Sequence, residues 1–126
     1  MLISINHNIA KAALYINYRP TRQELSRLLN TSRPTLWRRD NFCFENLEQF
    51  RDEFPRNPKK VAIATGKAWK RNTAYTPFQV WILSQICELF SILKTAERCQ
   101  HFVKDNPYLL TKQRYLQKLQ QLGETT

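Results

Sequence analysis

Side chains that could read a nucleic acid are concentrated between Thr21 and Asp40, in the stretch TRQELSRLLNTSRPTLWRRD. Arginine can donate two hydrogen bonds to the O6 and N7 atoms of guanine, and serine or threonine can reach base edges or phosphates. On the outward face of one helix, such residues would contact bases in the major groove of duplex DNA. We expect DNA contacts from Arg22, Ser32, Arg33, Thr35, Trp37, Arg38 and Arg39.

The arginines of this stretch have different expected roles. Arg33 and Arg38 are the candidates for base readout, and Arg22 would anchor the DNA backbone from the preceding helix. Thr35 and Arg39 would serve either the phosphates or the protein scaffold. Base readout therefore depends mainly on two side chains.

A purely structural interpretation of this stretch, without DNA contacts, remains open at this point. Two helices joined by a short turn occur in many helical proteins, and a cluster of arginines is often only a solvated face. Trp37 would then be a core or dimer residue, instead of packing on a thymine methyl group or a sugar.

Two predicted helices must position these side chains. The first begins at Thr21, which forms a capping-box pattern with Glu24, and runs through Leu29. After a polar turn, Ser32 can cap a second helix that has a proline in its first turn and runs to about Asp40. Leucines on both helices can meet between them, which is the geometry of a helix-turn-helix.

A basic segment follows, because residues 55 to 74 contain six basic residues and no acid. Within residues 59 to 71, Val61 and Ile63 favour a strand and Thr65-Gly66 favours a turn, so a two-stranded hairpin is predicted. Such a wing would lay its cations along phosphates or into a minor groove. These cations are Lys59, Lys60, Lys67, Lys70 and Arg71.

The rest of the chain is predicted to be helical. Helices are expected over residues 6 to 17, 45 to 54, 76 to 93, 95 to 103 and 108 to 122. The helix that opens at Thr76 is apolar on more than one face and should be the central core helix. The apolar residues of the last helix could be intramolecular core or a dimer seam, and we expect a homodimer. Its candidate residues are Leu109, Tyr115, Leu116, Leu119 and Leu122.

The predicted fold class is mainly α with a small β wing, that is, a winged helix-turn-helix followed by a C-terminal dimerisation helix. One compact domain is expected, with a short helical extension at residues 1–17, a winged helix-turn-helix at 18–75, and core and dimerisation helices at 76–126.

Composition narrows the function classes. The formal net charge of +10 over 126 residues favours a polyanionic partner. The three cysteines lack CxxC spacing, so neither a disulfide framework nor a zinc site is indicated, and we expect no cofactor. No phosphate loop, metalloprotease motif, secretory leader or long apolar span is visible. A cytoplasmic protein that is not an enzyme and does not enter a membrane is expected.

The stretch from Thr21 to Asp40 resembles the N-terminal module of MerR-type regulators, in which a Glu-Leu-Ala helix precedes a Ser-x-x-Thr-Leu-Arg-Tyr-Tyr-Glu helix. Ser32, Thr35, Leu36 and residues 37–40 match that pattern without a gap, and residues 71–83 resemble the family's Arg-x-Tyr segment. The resemblance implies a winged-helix transcription regulator that dimerises through C-terminal helices and binds a near-palindromic promoter element. The chain is similar to truncated forms without an effector domain, which include those linked to CRISPR-associated transposons.

Two functions follow as expectations. The first is a sequence-specific DNA-binding regulator, a repressor that occupies its promoter element as a dimer. The alternative is a single-stranded nucleic-acid or RNA-binding accessory module of a mobile-element or CRISPR system. It rests on Tyr15, Tyr18, Trp69 and Tyr75, since single-strand binders stack bases on aromatic rings.

Overall fold

The computed structural model describes residues 11–54 and 74–125 of the chain. Within these ranges a single turn of 3-10 helix at Ala13–Tyr15 precedes a series of α-helices. They are α1 (Arg22–Leu28), α2 (Arg33–Asn46), α3 (Glu48–Asp52), α4 (Pro77–Leu93), α5 (Ala96–Asp105) and α6 (Lys112–Thr125).

The predicted winged fold is wrong in its β component. The mainly α character is confirmed, but residues 11–54 and 74–125 contain no strand. The hairpin was predicted for residues 59 to 71, which lie outside the described residues. The prediction rested on Val61 and Ile63 followed by a Thr65-Gly66 turn, and two alternating residues are fewer than an ordinary strand provides. Among the described helices, none is both long and apolar enough to cross a bilayer.

The helix α4 is the central core helix, as predicted. Thr76 caps it through a reciprocal pair of hydrogen bonds: Thr76 Oγ1 accepts from the Gln79 N–H, and Gln79 Oε1 accepts from the Thr76 N–H. The helix packs against α2, α3, α5, α6 and the 3-10 turn. Its apolar core residues are Phe78, Val80, Trp81, Ile82, Leu83, Ile86 and Phe90.

The helix α2 is longer than predicted. Instead of ending near Asp40, it continues to Asn46, because its second half packs against α4. The ring of Phe42 meets the ring of Phe90 edge to face, with 5.1 Å between centroids. The extended backbone of Leu47 then ends the helix.

The helix α3 is shorter than the predicted span of residues 45 to 54. Residues 45 and 46 complete α2, so only Glu48–Asp52 remains helical. Phe50 is fully buried and contacts Phe54, which in turn contacts Tyr75. This aromatic cluster joins α3 to the residues that lead into α4.

The last two helices differ from prediction at their ends. After the Thr95 cap, α5 runs to Asp105 and not to Val103. The helix α6 begins only at Lys112, because Thr111 Oγ1 accepts a hydrogen bond from the Arg114 N–H in the manner of a cap. Near the other end of the chain, residues 11–15 are helical, which is part of the predicted helix at 6 to 17. Residues 1–10 lie outside the described residues.

Candidate nucleic-acid interface

The two helices that carry the predicted contacts are joined by residues 29–32. Asn30 has a positive φ of 52°, a conformation that asparagine tolerates better than most residues. The Thr31 N–H donates to the Ser26 carbonyl oxygen at 2.9 Å, which closes the turn. Leu25 of α1 and Leu36 of α2 are both fully buried. The relative position of α1 and α2 is therefore fixed by packing as well as by the turn.

Both predicted helix caps are confirmed. Thr21 Oγ1 accepts from the Glu24 N–H, and Glu24 Oε1 accepts from the Thr21 N–H at 2.8 Å. Ser32 Oγ accepts from the Thr35 N–H at 3.2 Å, with Pro34 in the first turn. Each cap satisfies an N–H group that has no partner inside the helix.

The helix α2 has an exposed face and a buried face over its first two turns. Arg33 and Arg38 are exposed, and Trp37 retains 37% of its accessible surface. Leu36 and Asp40, on the opposite face, are fully buried. The side chains predicted for base readout are therefore directed toward solvent.

The guanidinium group of Arg38 is held by neighbouring hydroxyl groups. Its Nη2 atom donates to Thr35 Oγ1 at 3.2 Å, and Ser32 Oγ donates to the same oxygen at 2.9 Å. This chain of hydrogen bonds restricts the rotamers of an exposed arginine. Ser32 and Thr35 therefore cap the helix and also position Arg38.

Arg39 contacts the protein scaffold, the second of the two roles expected for it. Its guanidinium carbon lies 3.8 Å from the centroid of the Phe90 ring, a cation–π contact between α2 and α4. Burial lowers the pKa of Arg39 from its usual range. The Arg39 guanidinium group thus contacts α4.

Arg22 lies in a network with Asp40 and Tyr75, and its expected role as a DNA-backbone anchor stays a prediction. Its Nη2 atom lies 3.3 Å from Oδ2 of Asp40, and its Nε donates to the phenol oxygen of Tyr75 at 3.2 Å. The Tyr75 hydroxyl donates to Oδ2 of Asp40 at 2.5 Å. Burial opposes the charge of Arg22, but Tyr75 and Asp40 outweigh it and raise the pKa of Arg22.

The sequence interpretation missed the structural role of Asp40 and Tyr75. Asp40 is fully buried, and burial together with its charge raises the pKa of Tyr75. One signal was present in the sequence, since Asp40 is the only acid between Glu24 and Glu45. A lone acid among arginines can indicate a buried partner for one of them.

The basic residues of the predicted wing lie outside the described residues. Those residues are Lys59, Lys60, Lys67, Lys70 and Arg71.

The candidate dimer residues are divided between core and surface. Tyr115 is buried, with its ring 5.6 Å from that of Phe78 and 5.5 Å from that of Trp81, so it belongs to the core. Leu116 is 54% exposed. The remaining three candidates are partly buried, namely Leu109, Leu119 and Leu122.

The cysteines show no arrangement for chemistry within the described residues. Cys43 and Cys99 are buried, and Cys87 is partly buried. Burial raises the pKa of the Cys87 thiol to about 11, which suppresses the reactive thiolate. No group of three or more His, Cys, Asp or Glu residues in these ranges could hold a metal ion.

Comparison with protein-family models, with curated proteins and with solved structures gives no match to this chain. The resemblance to MerR-type regulators therefore remains a prediction from residues 21–40 and 71–83.

Proposed function

We propose that this protein binds duplex DNA with sequence preference by placing the exposed face of α2 in the major groove, and that it represses transcription from the DNA it occupies. The main support is the division of α2 into two faces. Arg33 and Arg38 are exposed, while Leu36 and Asp40 hold the same helix against the rest of the protein.

The fixed position of Arg38 also supports base readout. A specific contact to guanine requires the guanidinium group to present two N–H donors in one plane. Thr35 already accepts from one nitrogen of Arg38, so the side chain loses less conformational freedom when it binds. An arginine that swings freely in solvent would favour phosphate contacts instead.

The overall charge supports a polyanionic partner. The formal net charge is +10, which attracts DNA and accelerates encounter. This attraction is independent of sequence and would bring α2 to DNA before any base is read.

The test is a comparison of two arginine variants with the same change in charge. A preferred duplex is first selected from a random pool with the wild-type protein. We expect Arg38→Ala to reduce the ratio of affinities for preferred and random duplexes by about 5- to 150-fold, because one good base contact contributes about 1–3 kcal/mol. Arg98→Ala removes a charge from an exposed site on α5 and should leave the ratio unchanged.

Fluorescence anisotropy at physiological salt provides both affinities. If selection enriches no duplex, or if Arg38→Ala and Arg98→Ala change the ratio equally, the proposed readout is wrong. Circular dichroism of both variants checks that a loss is not caused by unfolding.

We further propose that the protein binds DNA as a homodimer. Leu116 on α6 is 54% exposed, and Ile92 on α4 is 43% exposed. Burial of such apolar side chains at a dimer interface would be favourable. Leu116→Glu should convert the dimer to a monomer in sedimentation and weaken binding to a two-half-site duplex. A wild-type protein that sediments as a monomer on and off DNA would contradict this.

Exposed tyrosines favour single-stranded nucleic acid as a second candidate ligand. Tyr15 and Tyr18 are 58% and 48% exposed, so their rings are available for stacking. Tyr75 is buried and cannot serve this purpose. Tighter binding to single strands than to any duplex, lost on substitution of both Tyr15 and Tyr18 by alanine, would favour this candidate.

A further inference from the structure

A cavity of about 430 Å³ lies between α4, α5 and α6, and it is separate from the exposed face of α2. Its walls are mainly apolar and include two aromatic rings, those of Trp81 and Phe102, together with Leu89 and Leu93. This volume is in the range of sites that hold small molecules. The apolar walls suit a ligand with an apolar body.

An acidic side chain with an unsatisfied oxygen lines the cavity. The Oε2 atom of Glu88 is buried and accepts no hydrogen bond from the described residues. A buried acceptor without a donor is unfavourable by about 1–3 kcal/mol, and by more when it is charged. A ligand that donates a hydrogen bond to Glu88 would remove this penalty.

Two basic side chains line the same cavity. Arg114 and Lys118 are one helical turn apart on α6, and neither forms an ion pair with another described residue. Both are partly buried. Long basic side chains in such positions commonly cover apolar surface with their aliphatic parts and keep their cationic ends accessible. The cavity thus offers an acceptor from α4 and donors from α6.

We propose that the cavity binds a zwitterion with an apolar body, such as an α-amino acid that has a large apolar side chain. Its ammonium group donates to Glu88, its carboxylate accepts from Arg114 or Lys118, and its side chain packs against Trp81 and Phe102. The charges disfavour ligands with a single charge. A simple amine would face two cationic residues, and a simple acid would leave Glu88 without a donor.

Three probes with the same aromatic ring test this assignment. L-Phenylalanine carries both charges, N-acetyl-L-phenylalanine lacks the ammonium group, and phenethylamine lacks the carboxylate. By calorimetry, we expect phenylalanine to bind the wild-type protein about tenfold or more tightly than either of the others, since each lost charge-assisted hydrogen bond has about that effect.

Variants of the two sides of the cavity should separate the two contacts. Glu88→Gln should reduce the preference for phenylalanine over the acetylated probe, and substitution of both Arg114 and Lys118 by glutamine should reduce the preference over phenethylamine. Glu97→Gln, which changes an exposed carboxylate on α5 outside the cavity, is the matched control. It should leave all three affinities unchanged.

The proposal is overturned if no probe binds, or if either singly charged probe binds the wild-type protein as tightly as phenylalanine. Thermal unfolding of each variant shows whether it is folded. Glu88→Gln replaces a side chain whose buried Oε2 has no donor among the described residues, so it should unfold at the wild-type temperature or above.

Discussion

Asp40 is fully buried in α2, where its Oδ2 atom accepts a hydrogen bond from Tyr75 and lies within ion-pair distance of Arg22. Tyr75→Phe removes the phenol donor from a buried carboxylate, so we expect the free energy of unfolding to fall by about 1–3 kcal/mol. Urea denaturation measures this change. Tyr108→Phe, at a tyrosine that is 65% exposed, is the control and should have no effect. Equal stability of the two variants would show that the Asp40 contacts contribute little.

Cys87 predicts a pH dependence of stability. Burial raises the pKa of its thiol from 9.0 to about 11, although the positive charge of Arg39 opposes the rise. Above pH 9 the unfolded chain therefore loses this proton before the folded protein does. Stability contributed by the neutral thiol is fully present below pH 9 and is lost as the pH rises to about 11.

The loss should reach at most about 1.4 kcal/mol per pH unit for one proton. Cys87→Ala should remove this contribution, so its unfolding free energy should fall less steeply between pH 9 and 11. Urea denaturation at several pH values measures the slope. Parallel wild-type and variant curves over this interval would contradict the prediction.

At the scale of helices, local signals were sufficient for the starts of α1, α2 and α4, but not for the starts of α3 and α6 or for the end of α2. Thr21, Ser32 and Thr76 each accept a hydrogen bond from the N–H three residues ahead, so their caps could be predicted from neighbouring residues. The end of α2 depends on Phe42, which contacts Phe90 on a different helix. Such contacts are not visible in a window of sequence, which is why α2 was predicted too short.

Two cap substitutions can separate the stability of a helix from its function. Ser32→Ala and Thr95→Ala each remove one cap, on α2 and α5, and each should reduce stability by about 1 kcal/mol. Only Ser32 also donates to Thr35, which holds Arg38. Ser32→Ala should therefore reduce discrimination between preferred and random duplexes, while Thr95→Ala should not.

Anisotropy titrations at a temperature where both proteins are fully folded provide the comparison. If both cap variants retain wild-type discrimination, the hydroxyl chain does not position Arg38 for base readout.

At the scale of the whole molecule, the candidate site could be predicted only in part. The exposure of Arg33 and Arg38 follows from the spacing of leucines within one stretch. The contacts of Arg22 could not be foreseen, because its partner Tyr75 is 53 residues away. Arg39 likewise contacts Phe90, on α4. Folding thus separates arginines that are similar in sequence into two structural and two exposed residues.

The net charge of +10 predicts how salt should act on DNA binding. Each phosphate that the protein neutralises releases counterions, so the logarithm of affinity falls with the logarithm of salt concentration by about 0.9 per phosphate contact. We expect the affinity for random duplexes to fall steeply with salt, and the ratio of affinities for preferred and random duplexes to survive added salt, because base contacts release no counterions.

Arg38→Ala should reduce this ratio and leave the salt slope for random duplexes nearly unchanged. Anisotropy titrations between 50 and 200 mM salt measure both quantities. Affinity that is insensitive to salt would show that charge does not drive binding, and a reduced slope for Arg38→Ala would assign Arg38 to a phosphate.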